Sequence, residues 1–334
     1  MRRASTHLIR LPLSDLGRAV MAGADRTMAL LEVADGDGAR GFGVCAPLAG
    51  THQESLDESL AGLRFWSSLC SSMVPLGLPS ADFAISMAEM QLRGSLMPAR
   101  ESIRVATFVQ GGATEVDVLA NVGAFEGVSS VKLKVGRDGV DADRRAIHAL
   151  LAAVEPQARL RLDANRRLTV DACAEMLHGF DPDRIEYVED PLANPWELRT
   201  LVERTGIAIA LDETALEWTR GEGIPDSIAF APYVTAHVLR LSCVGRIDRS
   251  LHHARLARER GIRSIASTAY ESNYALMAAA IVASQIDPEG ASAHGLGTAH
   301  FYAQDLMQLA PRAGERMVVE PLPTIDHALI GALQ

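Results

Sequence analysis

The 334-residue chain lacks long hydrophobic runs, and its amino terminus, MRRASTHLIRLPL, lacks the continuous apolar segment of a secretory signal. Its longest apolar stretch, Tyr274 to Ala283, is far shorter than the roughly 18 residues that a membrane-spanning helix needs. We therefore expect a cytoplasmic protein that has no membrane partner.

Cysteines are few, and no two of them form a CxxC pair. The four lie far apart, at Cys45, Cys70, Cys173 and Cys243. Such spacing indicates neither a zinc knuckle nor a disulfide framework. We expect these residues to be buried as small hydrophobic side chains, as free cysteines commonly are.

Blocks of basic residues are also absent. The chain has 32 Lys and Arg residues against 42 Asp and Glu residues, for a formal charge of -10. Proteins that bind nucleic acid usually carry a basic patch, so the sequence argues against a nucleic-acid partner and leaves small metabolites as expected ligands. Nothing in the sequence indicates an oligomeric state.

The first hundred residues differ in pattern from the rest. The segment MALLEVADGDGARGFGVCAPLAG predicts two strands joined by a turn at Asp35 to Gly38. Helical patterns follow from Asp57 to Gly94 and are interrupted by PLGLP. We predict an α+β unit with a small core of its own over residues 1–100.

After Glu101 the pattern becomes strand, turn and helix, repeated. Eight short apolar runs mark the strands: IRVATFVQ, VKLKV, RLRLDAN, RIEYVEDP, IAIALDET, AHVLRLS, IRSIAST and ASAHGLG. Helical patterns lie between them, such as that from Asp141 to Val154. Eight parallel strands with interposed helices predict an α/β protein with a (β/α)8 barrel, although a doubly wound sheet has the same local pattern.

Three carboxylates end successive predicted strands at the same relative position: Asp163 in RLDAN, Glu189 in VEDP and Asp212 in LDET. In a barrel these strand ends meet on one face. Three acids brought together would repel one another unless a cation lay between them, and Mg²⁺ prefers such oxygen ligands. The alternative interpretation is three unrelated acidic caps that lead into loops.

Two lysines, Lys132 and Lys134, form a KxK pair on the second strand, and period-2 alternation places both side chains on one face. Arg161 relates to Asp163 in the same way. A partly desolvated lysine beside a second cation has a lowered pKa, as a general base for carbon acids requires. A solvated strand face is the ordinary alternative for a KxK pair.

The ordered set KLK, LDAN, VEDP and LDET resembles the enolase superfamily, specifically its muconate-lactonizing-enzyme-like branch, over essentially the whole chain. Within that branch, GFGVCAPLAGTHQESLDE, RLDANR and IASTAYESNYAL are similar to the o-succinylbenzoate synthase family of menaquinone biosynthesis.

This resemblance implies an enolase-like modified TIM barrel over 101–297, with a capping domain formed by 1–100 and completed by the carboxyl-terminal tail 298–334. It implies Mg²⁺, with Mn²⁺ as a substitute, bound by Asp163, Glu189 and Asp212. It also implies a lyase reaction on a small carboxylate. Lys134 would remove the proton α to the carboxylate of 2-succinyl-6-hydroxy-2,4-cyclohexadiene-1-carboxylate, and a hydroxyl would leave by syn dehydration, with Lys132 assisting.

One position departs from this pattern. Family members carry a lysine on the sixth strand, whereas HVLRLSCVG places Arg240 there. Arginine cannot serve as a base near neutral pH. A two-base N-succinylamino acid racemase or dipeptide epimerase is therefore less favoured than a one-base dehydration, in which Arg240 contributes positive charge. A catalytically inert homologue is the remaining alternative.

Other residues near the predicted strand ends are candidates for contacts with the substrate or with the metal ligands. The predicted substrate-binding residues are Arg161, Ser267, Thr268, Glu271 and Ser272. Loop or helix-cap roles are the alternative for the last four. Asn165 and Glu213 lie beside predicted metal ligands in the sequence. We expect them to contact those ligands and to hold them in position, without binding the metal.

Overall fold

The computed structural model describes residues 2–334 except 22, 70–74, 110–117, 119 and 121–124. Cys70 and Gln110, which belong to the predictions above, lie outside the described residues. The other three cysteines are buried and unpaired, as expected. None of the helices within the described ranges has the length and apolar character to cross a bilayer.

The amino-terminal unit is an antiparallel sheet covered by helices. Its strands are β1 (Arg3–Pro12), β2 (Asp25–Ala34) and β3 (Arg40–Cys45), paired in the order β1-β2-β3. Its helices are α1 (Asp15–Val20), α2 (Leu56–Leu69) and α3 (Pro79–Leu92). The two predicted strands and both helical segments are confirmed, whereas β1 was not predicted.

Close packing of α3 on β3 explains why two positions of β3 are glycine. A Cβ atom at Gly43 would lie 1.8 Å from the Ala84 carbonyl oxygen, and one at Gly41 would lie 2.0 Å from that of Ala88. Only glycine permits such an approach of helix and strand backbones. The apolar face between them, including Leu31, forms a separate small core, as predicted.

Parallel strands of the second unit curl into a barrel. They are β4 (Ser102–Val105), β5 (Thr107–Phe108), β6 (Ser130–Lys134), β7 (Arg159–Asp163), β8 (Ile185–Glu189), β9 (Ile209–Leu211), β10 (Val234–Arg240), β11 (Arg263–Ser267) and β12 (Ala293–His294). Strands β5 to β11 form one sheet in chain order.

The remaining contacts close this sheet. Gly295 bridges Ser267 at the end of β11, and β12 pairs in parallel with β4, which runs on into β5. The Ala106 amide also donates to the His294 carbonyl at 2.9 Å. All eight predicted strands are therefore present, with β4 and β5 together as the first, and the barrel is confirmed over the doubly wound sheet.

Helices cover the outside of the barrel: α4 (Val140–Ala153), α5 (Val170–Leu177), α6 (Leu198–Thr205), α7 (Glu213–Arg220), α8 (Asp226–Ala229), α9 (Leu241–Val244), α10 (Ile247–Arg258) and α11 (Asn273–Ile286). Val131 and Leu133 of β6 point outward and pack into the apolar layer beneath them. The intervening lysines must then face the barrel interior.

The carboxyl-terminal tail returns to the amino-terminal unit. Strand β13 (Arg316–Val318) pairs with β4, and helix α12 (His327–Ala332) follows. The Arg10 amide donates to the Leu333 carbonyl at 2.7 Å, and Leu13 bridges Tyr302. These contacts agree with a capping unit built from both ends of the chain. The boundaries at 100/101 and 297/298 stay a prediction.

Candidate active site

Strand register brings the charged residues to one edge of the barrel. Lys134 on β6 pairs with Asp163 on β7, and Asp163 pairs with Glu189 on β8. Asp212 directly follows β9, and Arg240 is the last residue of β10. Five consecutive strands therefore present charged side chains at their carboxyl ends, the face at which barrel enzymes place their active sites.

Lys132 joins two of the carboxylates. Its Nζ lies 3.0 Å from Asp163 Oδ2 and donates to both oxygens of Glu189, at 2.8 and 2.9 Å. Burial disfavours the ammonium form, but the carboxylates around it outweigh burial and raise the pKa of Lys132 above its usual range. Lys132 is therefore a fixed cation.

Arg240 holds the third carboxylate. Its Nη2 donates to Asp212 Oδ2 and lies 3.8 Å from Glu213 Oε1. This pairing, chiefly with Asp212, raises the pKa of Arg240 above its ordinary value. Across the barrel interior from β6, the chain thus places a cation that does not give up its proton.

Lys134 differs from both of these cations. Within the described residues it makes no ion pair, and its side chain lines a cavity at the barrel mouth. Burial lowers the pKa of Lys134, and the positive charges of Arg137, Lys132 and Arg240 add to that effect against the attraction of Asp163. A lysine in this environment is suited to accept a proton from carbon.

The distribution of lysine along the chain also points to this site. Thirty of the 32 basic residues are arginine, and the two lysines are Lys132 and Lys134. Arginine can supply charge anywhere, but it cannot exchange a proton near neutral pH, whereas lysine can. Both lysines lie in this site.

The three carboxylates fit the requirements of a hard divalent cation. Asp163, Glu189 and Asp212 are each at most 5% exposed. Burial, together with the negative charges of the neighbouring acids, raises the pKa of Glu189 to about 8 and that of Asp212 to about 6 against the effect of Lys132 and Arg240. A divalent cation bound among these acids would relieve that cost.

The carboxylates are not yet arranged around an ion position. In the ranges that the structure describes, no three His, Cys, Asp or Glu side chains form a group ready to hold a metal. Lys132 and Arg240 instead contact their oxygens. The donor set therefore fits Mg²⁺ in charge and chemistry, and binding would require Lys132 and Arg240 each to release an oxygen.

A cavity of about 380 Å³ lies above these groups, between the two units. The amino-terminal unit contributes Leu48, Gly50 and Thr51, and the carboxyl-terminal tail contributes Thr298 and Phe301. Barrel residues that line it include Lys132, Lys134, Asp163, Asn165, Asp212, Glu213, Arg240, Ser267 and Thr268. The cavity has the volume for a small organic acid.

Arg161 does not reach this cavity, and we correct its predicted contact with substrate. Its guanidinium donates to Glu186 at 2.7 and 3.0 Å and to the Ala293 carbonyl at 2.6 Å. Arg263 also contacts Glu186, at 2.7 Å. Against the effect of burial, these two arginines lower the pKa of Glu186 to about 2. Arg161 stabilises the lower barrel interior.

Glu271 and Ser272 are also absent from the cavity lining. Glu271 accepts hydrogen bonds from the Ser242 hydroxyl and, at 2.7 Å, from the Ala269 amide. Ser272 caps helix α11 by accepting a hydrogen bond from the Ala275 amide. These contacts are those of the alternative interpretation, in which the two residues have loop and cap roles.

Ser267, Thr268, Asn165 and Glu213 do line the cavity. The backbone amide of Asn165 donates to Asp163 Oδ1 at 3.2 Å, which supports that carboxylate directly. Glu213 begins helix α7 and faces Arg240. The structure therefore places the two predicted supporting residues beside the acids that they were expected to support.

Sequence reasoning missed two residues that connect the amino-terminal unit to the cavity. Arg26 on β2 donates to the carbonyls of Ala269 and Tyr270 in the loop after β11. His52 accepts a hydrogen bond from the Leu48 amide at 3.0 Å and lies 3.2 Å from Ser242 Oγ. The contacts of Arg26 with the loop after β11 and of His52 with Ser242 join residues that are far apart in sequence, so no local pattern marks them.

Comparison with known proteins finds a matching family and several similar proteins that share one name. The sequence profile described as "Enolase C-terminal domain-like" matches residues 117–321. A protein of Pasteurella multocida named o-succinylbenzoate synthase is 33% identical over 310 residues, covering 88% of this chain and 85% of its own length. One of the same name from Proteus mirabilis is 30% identical and covers 97% and 99%.

A solved structure of similar fold is that of a dipeptide epimerase from Enterococcus faecalis, complexed with Mg and the dipeptide L-Leu-L-Tyr. It aligns with a TM-score of 0.76 over 96% of both chains, at 18% identity. At that identity the likeness concerns the fold, which is the capped barrel described above.

Proposed function

The chain belongs to the enolase superfamily, and we propose that it is an o-succinylbenzoate synthase, a Mg²⁺-dependent lyase of menaquinone biosynthesis. Its substrate would be 2-succinyl-6-hydroxy-2,4-cyclohexadiene-1-carboxylate. The observation that carries this proposal is the asymmetry of the site. Lys134 has a lowered pKa and no ion pair with any residue in the described ranges, while Arg240, across the barrel, is held in an ion pair.

The proposed roles follow from that asymmetry. Lys134 Nζ takes the proton from the carbon α to the carboxylate, and the electrons of that C–H bond move onto the carboxylate oxygens to give an enediolate. Those electrons then form a ring double bond as the C–O bond to the hydroxyl group breaks on the same face. The Lys134 ammonium returns the proton to the departing hydroxyl, so that water leaves and the ring becomes aromatic. One base suffices because both events occur on one face.

The other groups hold the substrate and the charge. Asp163, Glu189 and Asp212 would bind Mg²⁺, which, when present, supplies positive charge beside the substrate carboxylate. Lys132 and Arg240 keep fixed positive charge at the cavity floor and stabilise the negative charge that develops on the carboxylate oxygens. The loop residues Leu48 and Thr51 cover the ring and exclude water.

Racemisation of an N-succinylamino acid or epimerisation of a dipeptide is the competing activity. It needs a base on each face of the α carbon, and Arg240 occupies the second position. The ion pair with Asp212 strengthens this objection because it raises the pKa of Arg240 further.

The proposal is tested by giving one Mg²⁺-loaded sample both kinds of substrate. We expect loss of the cyclohexadiene absorbance with formation of o-succinylbenzoate, identified by mass, and no change in the enantiomeric composition of an N-succinylamino acid. The matched control is Lys134→Arg, which keeps the charge but removes the base. Racemisation without dehydration, or dehydration by the control at the wild-type rate, would refute the proposal.

A further inference from the structure

Tyr270 has an unusual backbone conformation at the edge of the cavity. Its φ is +60°, in the left-handed region that bulky residues rarely adopt. Such a conformation persists only where the surroundings hold it, and it often marks a functional position. Tyr270 directly follows Ala269 in the loop after β11, and both line the cavity.

Two long-range contacts hold this loop. The Arg26 guanidinium, from the amino-terminal unit, donates to the Ala269 carbonyl at 3.1 Å and to the Tyr270 carbonyl. Its second nitrogen donates to the Ala46 carbonyl at 2.5 Å. The Tyr302 hydroxyl, from the carboxyl-terminal tail, donates to the same Tyr270 carbonyl at 2.5 Å. Both ends of the chain therefore fix Tyr270 against the barrel.

The ring of Tyr270 is fixed as well. It packs edge-on against Phe301, with ring centroids 4.9 Å apart and an interplanar angle of 71°. Aromatic pairs in this geometry restrain the ring direction. Because backbone and ring are both restrained, the direction of the hydroxyl is set before any ligand arrives.

The hydroxyl itself has no hydrogen-bond partner among the residues that the structure describes. Burial raises the pKa of the Tyr270 phenol despite the positive charges of Lys132 and Arg240, so the group keeps its proton and is a donor. A preoriented donor in a cavity, with no protein partner among the described residues, is available to an oxygen of a bound ligand.

We infer that the Tyr270 hydroxyl donates a hydrogen bond to an oxygen of the substrate's acyl side chain, beyond the reacting carboxylate, with Arg26 as a positioning residue. This inference rests on the proposed function. The reacting carboxylate belongs beside Lys132 and the three acids, whereas Tyr270 lies where the barrel meets the amino-terminal unit and the tail. The acyl chain of a succinyl-bearing ring carries oxygens in that direction, and an unsubstituted ring does not.

The experiment compares two ligands and two tyrosine variants. Calorimetry in Mg²⁺ measures the Kd of o-succinylbenzoate and of benzoate, which lacks the acyl chain, for the wild type, Tyr270→Phe and Tyr233→Phe. Tyr233 precedes β10 at the opposite end of the barrel, so its variant is the matched control. We expect Tyr270→Phe to weaken o-succinylbenzoate about 5- to 30-fold, with benzoate affinity unchanged.

Each other outcome is decisive. Equal o-succinylbenzoate affinity in wild type and Tyr270→Phe would overturn the role of Tyr270 and leave the proposed function standing. An equal loss for both ligands would also overturn it, since the hydroxyl would then act on the carboxylate end. If wild type bound benzoate but did not bind o-succinylbenzoate, the proposed function and this inference would both fail.

The role of Arg26 is tested by a double-variant cycle. If Arg26 acts through Tyr270, Arg26→Gln weakens o-succinylbenzoate, and adding Tyr270→Phe weakens it no further. Arg26→Lys, which retains a donor, should recover part of the affinity. A loss in Arg26→Gln that also applies to benzoate, or that adds in full to that of Tyr270→Phe, would show that Arg26 acts only on the general fold.

Discussion

The Lys132 ammonium group donates to both carboxylate oxygens of Glu189, at 2.8 and 2.9 Å. Lys134 lies two residues further along β6, on the same interior face, and has no such partner among the described residues. One strand thus carries a lysine that is held as a cation and a lysine that is free to exchange a proton. The expected behaviour of the site follows from this difference.

The two lysines should titrate far apart. Because the chain has no other lysine, protein labelled with ¹⁵N at lysine Nζ should give two side-chain signals, and Lys134→Arg assigns them by removing one. We expect the Lys134 signal to titrate below the ordinary lysine pKa and the Lys132 signal to stay charged. The proposed base must be unprotonated to act, so kcat/KM should rise with pH through the Lys134 pKa.

Mg²⁺ binding should require each of the three carboxylates. Asp163→Asn, Glu189→Gln and Asp212→Asn keep the shape of each side chain but remove one charged oxygen ligand. We expect each variant to lose Mg²⁺ affinity by calorimetry, while Asp248→Asn, an exposed position, binds as wild type. Any site variant with wild-type affinity would remove that residue from the ligand set.

Arg240 should decide whether one or two faces of the α carbon are active. In D₂O the wild type should leave an N-succinylamino acid unracemised, because only Lys134 exchanges protons. Arg240→Lys should introduce racemisation and retain dehydration, whereas Arg240→Ala should lower the dehydration rate about 10²-fold through lost charge. Efficient racemisation by the wild type, measured by chiral chromatography, would contradict one-base chemistry.

A buried histidine pair outside the site should make stability depend on pH. His237 Nδ1 lies 2.8 Å from His253 Nε2, and His237 Nε2 lies 2.7 Å from the Ala229 carbonyl. Burial lowers the pKa of His237 to about 4 and that of His253 to about 3, from 6.5 in the unfolded chain. The unfolded chain therefore binds more protons between these values, and stability should fall as pH drops below 6.5.

The slope should approach about 1.4 kcal/mol per pH unit for each histidine between pH 6 and pH 4.5. Urea unfolding measures it, and a His237→Gln/His253→Gln double variant should lose most of this slope. His178→Gln, at an exposed position, serves as the control. An unchanged slope in the double variant would show that other groups cause the dependence.

The positions of the charged residues at the strand ends could be predicted, because two local sequence rules determine where their side chains lie. Period-2 alternation gave the interior face of β6, and the repeated position of Asp163, Glu189 and Asp212 gave the shared edge. The same alternation put Arg161 on the correct face but not at the correct depth. Arg161 precedes Asp163 by two residues on β7, so its side chain lies one layer lower in the barrel interior. There it forms an ion pair with Glu186.

Contacts between distant segments could not be predicted. Arg26 meets Tyr270 across 244 positions, and Tyr302 reaches Tyr270 from the tail. Neither contact leaves a periodic pattern, because each is a single side chain bonded to a backbone carbonyl. Strand β1 was missed because its first half, Arg3 to His7, is mostly polar, and its pairing with β2 defines it.

The central claim is that Lys134 removes the α proton, and a substrate deuterated at that carbon tests it most directly. Dehydration rates of the labelled and unlabelled cyclohexadiene are compared for wild type and Lys134→Ala, after subtraction of the spontaneous reaction. We predict that wild type aromatises the labelled substrate several-fold more slowly and that Lys134→Ala loses about 10²- to 10⁴-fold in rate. Wild-type rates in Lys134→Ala, with the isotope effect intact, would place the base elsewhere and contradict the account.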